Sequence, residues 1–521
     1  MFEPSAADTL LLNARIAQQA NRPDDAQAFL HRVLTLEPDH PMALSLLGEV
    51  SSGQRDYAEA VSWFDRALAR EPYFAPAWYH RARALWFSGY HSESLASARE
   101  AQSIQPANVD YCILRAQLSA WMGHRREARE MLRPLLNDAG LDTGQRARVA
   151  SAEGEIALAD GRTGDASRHL KRALAVDPDM PVTRMMLGMN QLRRGEFADG
   201  WVNYASRESV RHYYPDGSPN LPGEVWTGQN LTGCSIVVID DQGHGDSIQF
   251  FRFLPRLLGL GARQVTLVTF PGLVRLFRQA SPQLTILTSL SRGAQADYHC
   301  NSTILLRWLD VSLGTIPDWA PYLFPPASAS VRLPQRSAPT PQVGLAWSGD
   351  PTHTRDHLRS IPAERFLGLA DLPGIRFHSL QRVVRPADQA ALRQRRIGRA
   401  VEAAADFADT AALIERLDLI VTVDTGVAHL AAAMGKPVWL VLHHIADWRW
   451  LTDRVDSPWY PTMRLFRGRS DEWGDGDLGW RPLLDRVAAA LRAREFVAST
   501  PLRPTNPARR SVSRRRSPIR G

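Results

Sequence analysis

Cysteine is scarce and scattered in this chain. Cys112, Cys234 and Cys300 form no closely spaced pair, which argues against a disulfide framework and a structural zinc site and for a reducing compartment. Long apolar runs are missing too: no stretch approaches the roughly 18 uninterrupted apolar residues of a membrane span. Residues 1–30 lack the basic start and apolar core of an export signal. The expectation is a cytoplasmic protein without a transmembrane segment or structural metal. Acidic residues are absent from the C-terminal tail, where residues 501–521 carry seven arginines, so the tail alone accounts for the formal net charge of +7. The folded part is therefore near neutral, which removes the argument for a broad basic face that binds nucleic acid. The tail itself reads as disordered, either solvated or in weak contact with acidic surfaces.

What is present points first to a repeat. Glu37-Pro38, Glu71-Pro72 and Gln105-Pro106 recur at intervals of 34, and Asp177-Pro178 falls two longer units later. Upstream, the turn position reads Asn21, Arg55, Gly89, Gly123, Gly161 and Gly195, 34 apart except for one interval of 38. Ala58, Ala60, Phe64, Ala67 and Leu68 fit a second helix, and Gly48 and Ala82 supply small residues for the first. A helix-turn-helix unit of this period resembles the tetratricopeptide repeat, whose pairs bury their apolar faces only by stacking. Residues 1–212 are thus expected to form a solenoid of five to six units, serving either protein binding or packing against the remainder. Trp78, Tyr79, Trp86 and Trp121 read as interhelical packing.

After a Pro- and Gly-rich connector (213–232) the period changes to alternating strands and helices. The spacing predicts a strand at Ser235–Ile239, a helix from Ser247 to about Leu260, and a first α/β half over 233–330. The stretch Pro321 to Pro341 reads as a linker. A second half over 342–500 opens with a strand at Val343–Trp347 and closes with an amphipathic helix near Pro482–Arg494. The fold class expected is an all-α solenoid followed by two Rossmann-like halves, with a ligand cleft between them.

Chemistry-bearing residues gather in Leu417 to Leu442, L-D-L-I-V-T-V-D-T-G-V-A-H-L-A-A-A-M-G-K-P-V-W-L-V-L. A β-branched strand ends at Asp424-Thr425-Gly426, a small-residue helix follows, and Val438–Leu442 is a second strand. Polar residues at the carboxyl end of a buried parallel strand stand where open α/β sheets bind ligands. Gly426 lets a ligand approach the backbone, the opening amides of the helix suit a phosphate, and His429 lies one turn further on. A helix cap at Asp424 or Thr425 and a packed His429 fit the same residues. In the first half, Gly243-His244-Gly245-Asp246 follows a strand, but Ile248 breaks the G-x-G-x-x-G spacing, so a dinucleotide site is not expected. Asp246 stands at a helix start, as a catalytic carboxylate or a plain N-terminal one.

Four stretches in order, Q-G-H-G-D-S-I-Q-F, V-G-L-A-W-S-G, D-T-G-V-A-H-L-A-A-A-M-G-K-P and Asp447 to Phe466, together resemble bacterial tetratricopeptide-repeat glycosyltransferases. Over about residues 230–495 these are similar to the ADP-heptose heptosyltransferases, and more distantly to O-linked N-acetylglucosamine transferases. The resemblance implies a GT-B fold, with acceptor on the first half and nucleotide-diphosphate sugar on the second. It implies metal-independent transfer with inversion, with no cofactor beyond the sugar nucleotide as co-substrate. By motif, Asp246 corresponds to the general base, with Gly243, His244 and Gly245 as its acceptor loop; Asp424, Thr425, Gly426 and His429 correspond to donor-site residues. Such a transfer needs a carboxylate at the acceptor oxygen and cationic or amide donors for the leaving diphosphate.

For those donors the loop after Val343–Trp347 offers His353, Arg355, His357 and Arg359. The family tends to carry a lysine there and this chain has none, so Arg359 or Arg355 is favoured, with a solvated loop charge as the alternative. Gln381 and Asp406 or Asp409 can contact base or ribose, although Asp409 also reads as a helix cap. Trp448, Trp450, Trp459 and Tyr460 read as a belt joining the halves. His244 and Ala432 depart from the family pattern. The partners expected are a sugar-nucleotide donor, a protein or glycan acceptor and a protein held by the repeats. Competing functions are an inactive scaffold with a degenerate GT-B half, and a nucleotide-sugar epimerase, which the repeats disfavour.

Overall fold

The computed structural model describes residues 5–207, 221–317, 320–329, 331, 333, 340–351, 353, 355–395, 397–473 and 479–495. The tail 501–521 and parts of both expected connectors lie outside these residues. Helices fill the N-terminal portion as consecutive pairs: α1 Ala6–Gln19 and α2 Pro23–Leu36, α3 Pro41–Gly53 and α4 Tyr57–Arg70, α5 Ala75–Phe87 and α6 His91–Ile104, α7 Val109–Trp121 and α8 Arg125–Leu136, α9 Thr143–Ala159 and α10 Thr163–Val176, α11 Pro181–Arg193 and α12 Phe197–Tyr204. This is the expected tetratricopeptide solenoid.

The turn inside every pair bends through a positive φ, at Asn21 (54°), Arg55 (66°), Gly89 (82°), Gly123 (94°), Gly161 (73°) and Gly195 (80°). That backbone region favours glycine and tolerates asparagine, which is why the 34-residue spacing is visible as recurring small or polar residues. The single interval of 38 has its cause in α9, 17 residues long where α7 has 13; the four extra residues add about one helical turn. Within a pair the helices touch at a small residue: a Cβ on Gly48 would meet the Phe64 ring at 2.6 Å, and one on Gly154 would meet Leu170 at 2.7 Å.

Two parallel sheets follow. In the first, β1 Glu224–Val225, β2 Ser235–Ile239, β3 Gln264–Val268, β4 Thr285–Leu287 and β5 Tyr298–Asn301 are ordered β1-β5-β2-β3-β4. In the second, β6 Gln342–Ala346, β7 Arg376–Ser379, β8 Leu419–Val423, β9 Val438–Leu442 and β10 Met463–Arg467 are ordered β10-β9-β8-β6-β7. β2, β6, β8 and β9 are buried along their whole length, as strands covered on both faces must be. Strand order reverses between β2 and β5 and between β6 and β8, and open α/β sheets bind ligands at such switch points. Two Rossmann-like halves of the GT-B kind thus follow the solenoid.

Three expectations need correction. The connector 213–232 contains β1, which pairs with β5 (Glu224↔Tyr298), and buried Trp226 and Leu231, so the first half begins earlier. The helix expected from Ser247 to Leu260 is two helices, His244–Phe251 and Leu254–Gly259, because Pro255 restarts the chain at the head of the second. The linker after Pro321 is not free: Tyr322 and Leu323 are buried, and the Tyr322 N–H donates to Ala433 O at 2.9 Å. One apolar core runs from Leu192, Phe197 and Trp201 through the first half to Leu440 and Trp459. A second lies under the other face of the second sheet, closed by the helix Trp480–Arg492.

Candidate active site

Two eight-residue helices, His244–Phe251 after β2 and Gly426–Ala433 after β8, pack on each other with their N-termini together. The helix start that carries Asp246 and the helix that opens at the D-T-G turn therefore meet, and the contact is made by Gly245. A Cβ on Gly245 would lie 2.7 Å from His429 Cδ2 and 3.6 Å from Gly426 Cα. Glycine at 245 is what permits the approach. Among the described residues, the N–H groups of His244, Gly245, Gly426 and Val427 make no hydrogen bond. Two positive helix ends thus converge, a setting that favours an anion.

Asp246 keeps 20% of its side chain accessible. One carboxylate oxygen accepts the Gly243 N–H at 3.0 Å, and the other is ion-paired with Arg449. Arg449 is buried and also donates to Asp447 (2.7 Å) and Gln249 (2.7 Å), with its guanidinium over the Trp448 ring at 4.3 Å. Burial alone would lower the pKa of Arg449, but Asp246 and Asp447 outweigh it and raise it. Gly243 is exposed at the helix start. His244 points away from the carboxylate, stacking on Phe407 (5.0 Å) and beside Phe270 (4.7 Å), and burial lowers its pKa.

Across the contact, Asp424 keeps 18% of its side chain accessible and accepts from Trp450 Nε1 at 2.9 Å. Burial, then the neighbouring Asp447, raise its pKa. Burial pushes Asp447 upward as well, but Arg449 overcomes this and holds it low, so of the two coupled carboxylates Asp424 takes the proton first. His429 is buried, its Nδ1 within 2.9 Å of Tyr460 Oη and its Nε2 3.8 Å from Asp424. Burial and then Arg449 drive its pKa down to about 3, so the ring is neutral and the approach to Asp424 is no ion pair. Thr425 caps the helix by backbone geometry and shares a 3.3 Å hydroxyl contact with Thr422.

The loop after β6 supplies the third wall. Arg359 lies over Gly349, donating to Asp424 O and approaching Asp356, both at 3.4 Å. Arg355 turns toward the solenoid and sits over Trp121 at 4.7 Å, so that tryptophan is more than interhelical packing. His357 leaves the cleft and meets His91 (4.3 Å) and Trp86 (5.7 Å) of the solenoid edge-on, so Trp86 too is more than interhelical packing. His353 is exposed, yet desolvation by the surrounding protein, then Arg359 and Arg355, lower its pKa to about 4 against Asp447 and Asp246. Gln381 is buried and fully engaged: Oε1 accepts the N–H groups of Trp347 (3.2 Å) and Ser348 (3.1 Å), and Nε2 donates to Ser348 O and Val383 O, both at 3.0 Å. Asp406 caps the helix Phe407–Glu415, and Arg275 of the first half pairs with both Asp406 and Asp409. No three His, Cys, Asp or Glu side chains among the described residues are grouped to hold a metal ion.

Arg449 and Asp447 escaped the sequence reasoning as site residues. The signal was there: D-W-R-W places an acid and a base between tryptophans, and charges in an apolar segment must be paired when buried. The belt of Trp448, Trp450, Trp459 and Tyr460 is wholly buried and joins three parts of the chain. Trp448 meets Trp201 of α12 edge-on at 5.3 Å, and Arg252 of the first half donates to Trp459 O at 2.6 Å and stacks on Tyr460 at 4.6 Å.

Residues 11–75 and 75–108 match tetratricopeptide repeat models, and residues 384–441, which hold the D-T-G turn, match glycosyltransferase family 9 (heptosyltransferase). The chain is 26% identical over 384 residues to Protein FlbA of Caulobacter vibrioides, a match covering 68% of this chain and 61% of that protein. It thus spans about three fifths of the length of the curated relative it matches. Among solved structures it is similar to a thermophilic tetratricopeptide protein of Thermus thermophilus (21% identity, TM-score 0.31, 36% of this chain and 100% of that one). A tetratricopeptide repeat protein of Parabacteroides merdae gives 15% identity and a TM-score of 0.30 over 39% of this chain and 78% of its own. The chain therefore joins a tetratricopeptide-repeat solenoid to an α/β portion in which residues 384–441 are similar to glycosyltransferase family 9.

Proposed function

We propose that the chain is a glycosyltransferase that moves a sugar from a nucleotide-diphosphate donor to an acceptor hydroxyl, with inversion and without a metal ion, on an acceptor recruited by the solenoid. The observation that carries this is the convergence of Asp246 and the D-T-G turn, each at a switch point of its own parallel sheet, on one pair of facing helix N-termini. Asp246 accepts the proton of the acceptor hydroxyl as that oxygen attacks the anomeric carbon. The bond from that carbon to the diphosphate oxygen breaks on the opposite face, and the nucleoside diphosphate departs with the electron pair. In this reading the amides of Gly426 and Val427, with Arg359, take up the developing charge. Asp424 and His429 shape the sugar pocket, with Asp424 as a proton-bearing donor in its neutral form.

Labelled ADP-, UDP- and GDP-sugars incubated with the full chain and cell lysate test this. Transfer that persists in chelator and is abolished by Asp246→Ala supports it; label in protein, lipid or glycan names the acceptor. The ion pair on Asp246 and the contact of Gly245 with His429 favour a second reading, a scaffold whose cleft is closed. Calorimetric titration separates the two, since a scaffold binds none of the sugar nucleotides.

A further inference from the structure

Arg193 closes α11 in the last repeat pair and is only 6% exposed, where α11 packs against Trp448–Trp450. Its Nε is buried without a hydrogen-bond partner, and no carboxylate of the described residues lies within ion-pair distance of its guanidinium. Two half-buried arginines, Arg355 and Arg467, stand near it and likewise make no ion pair among the described residues. Arg355 lies over the Trp121 ring at 4.7 Å, and Arg467 spends one nitrogen on Trp450 O at 2.8 Å while its Nε stays unpartnered.

Exposed Asp453 faces Arg467 from the solvent side, and the other acids nearby are engaged elsewhere. Asp447 is bonded to Arg449, Glu155 accepts from Trp121 Nε1 (2.8 Å) and Gln117 (2.7 Å), and Asp160 is ringed by Arg125, Arg129 and Arg162. Burial and then Arg355 hold the pKa of Arg193 down to about 10, with Asp447 opposing and Arg467 adding to the depression. Buried cations lacking a counter-charge are costly, and a guanidinium fork matches the planar edge of a carboxylate or phosphate. The cluster is linked to Asp246 through Asp447 and Arg449, since Arg449 donates to both carboxylates.

We propose that Arg193, Arg355 and Arg467 form an oxyanion site that holds a phosphate or a sugar carboxylate of the donor, so that the last repeat of the solenoid completes the sugar-nucleotide pocket. This rests on the glycosyltransferase reading for the identity of the ligand, not for the site.

The test titrates the full-length chain with sodium pyrophosphate and, separately, with glucuronate, following heat of binding and melting temperature, for wild type, Arg193→Gln and Arg193→Lys. At least one anion binds the wild type. Its affinity falls on the order of tenfold to a hundredfold in Arg193→Gln and recovers in part in Arg193→Lys. The anion that shows this dependence names the source, diphosphate or sugar carboxylate. Ligand-free Arg193→Gln melts at or above wild type, because an unpaired buried charge is gone; a merely structural arginine gives the reverse. No anion binding by wild type, or equal binding by wild type and Arg193→Gln, overturns the site. Sugar nucleotides that bind both proteins equally leave the glycosyltransferase reading standing without it; loss of pyrophosphate binding in Arg193→Gln, with no sugar nucleotide bound by wild type, does the opposite.

Discussion

Replacing Arg449 by methionine keeps an unbranched apolar stem and removes the guanidinium with its charge. The guanidinium it deletes joins Asp246 of the first half to Asp447 of the second, bonds Gln249 and stacks on Trp448. Breaking a buried pair from one side costs about 3–5 kcal/mol, because the partner charge stays behind. Asp246 and Asp447 keep 20% and 28% of their side chains accessible, so water relieves part of that and the lower end, about 3 kcal/mol, applies. For a unit of this size that is a fall in melting temperature of roughly 6–12 °C at pH 7. Acid narrows the gap. Arg449 holds Asp447 below the usual carboxylate range, so the stabilisation is present above the unfolded value near about 4 and is lost as pH falls through the folded one. Adding Asp246→Asn to Arg449→Met should restore part of the loss, since one stranded charge is removed. Calorimetric melts of the four proteins of this cycle at neutral and acid pH give the answer. A variant melting within about 2 °C of wild type, or a gap indifferent to pH, would refute the view of Arg449 as the clamp between the halves.

Gly245→Ala should lower stability by about 1–3 kcal/mol, because its methyl meets the buried, hydrogen-bonded His429 ring at 2.7 Å; thermal melting reads it, and His429→Ala in the same chain should relieve it. Asp240, at the end of β2, is buried with its pKa pushed up to about 6 by desolvation, and accepts from Thr269 Oγ1 at 2.6 Å. A raised carboxylate favours folding below its unfolded pKa and loses that advantage as pH rises through about 6. Asp240→Asn should therefore gain roughly 1–3 kcal/mol over wild type at pH 8 and nothing at pH 4, in denaturation measured at both.

Where one physical cause dominates a stretch, sequence alone shows it. The solenoid turns were visible because a positive φ restricts residue choice at six positions. β2 and β9 fall where continuous β-branched or apolar runs put them. β1, β5 and β10 were missed for the opposite reason: two residues, a polar Y-H-C-N, and an alternating M-R-L-F-R carry no run, and their places are set by neighbours distant in the chain. Gln381 illustrates the same limit at the site, where an amide after a strand reads as a ligand contact until four backbone groups claim it.

Charge shows the limit most sharply. Arg193 closes a repeat helix, where helical periodicity assigns a basic residue to solvent or to the helix dipole. It is buried only because Trp448–Trp450, some 255 residues later, packs over it. Arg449 lies in that same segment, and no window short enough to carry a period holds it together with Asp246. Composition nonetheless leaves a trace. A guanidinium between two tryptophans has few exposed conformations that also satisfy its neighbours, so D-W-R-W forecasts a buried ion pair without naming its partner. The partner follows only once both sheets are in place, because Asp246, at the switch point of the first half, and Asp447, in the loop after β9, reach one guanidinium. Hydrophobic patterning thus sets where this chain folds, while the pairing of its buried charges depends on contacts between bodies that no single stretch encodes.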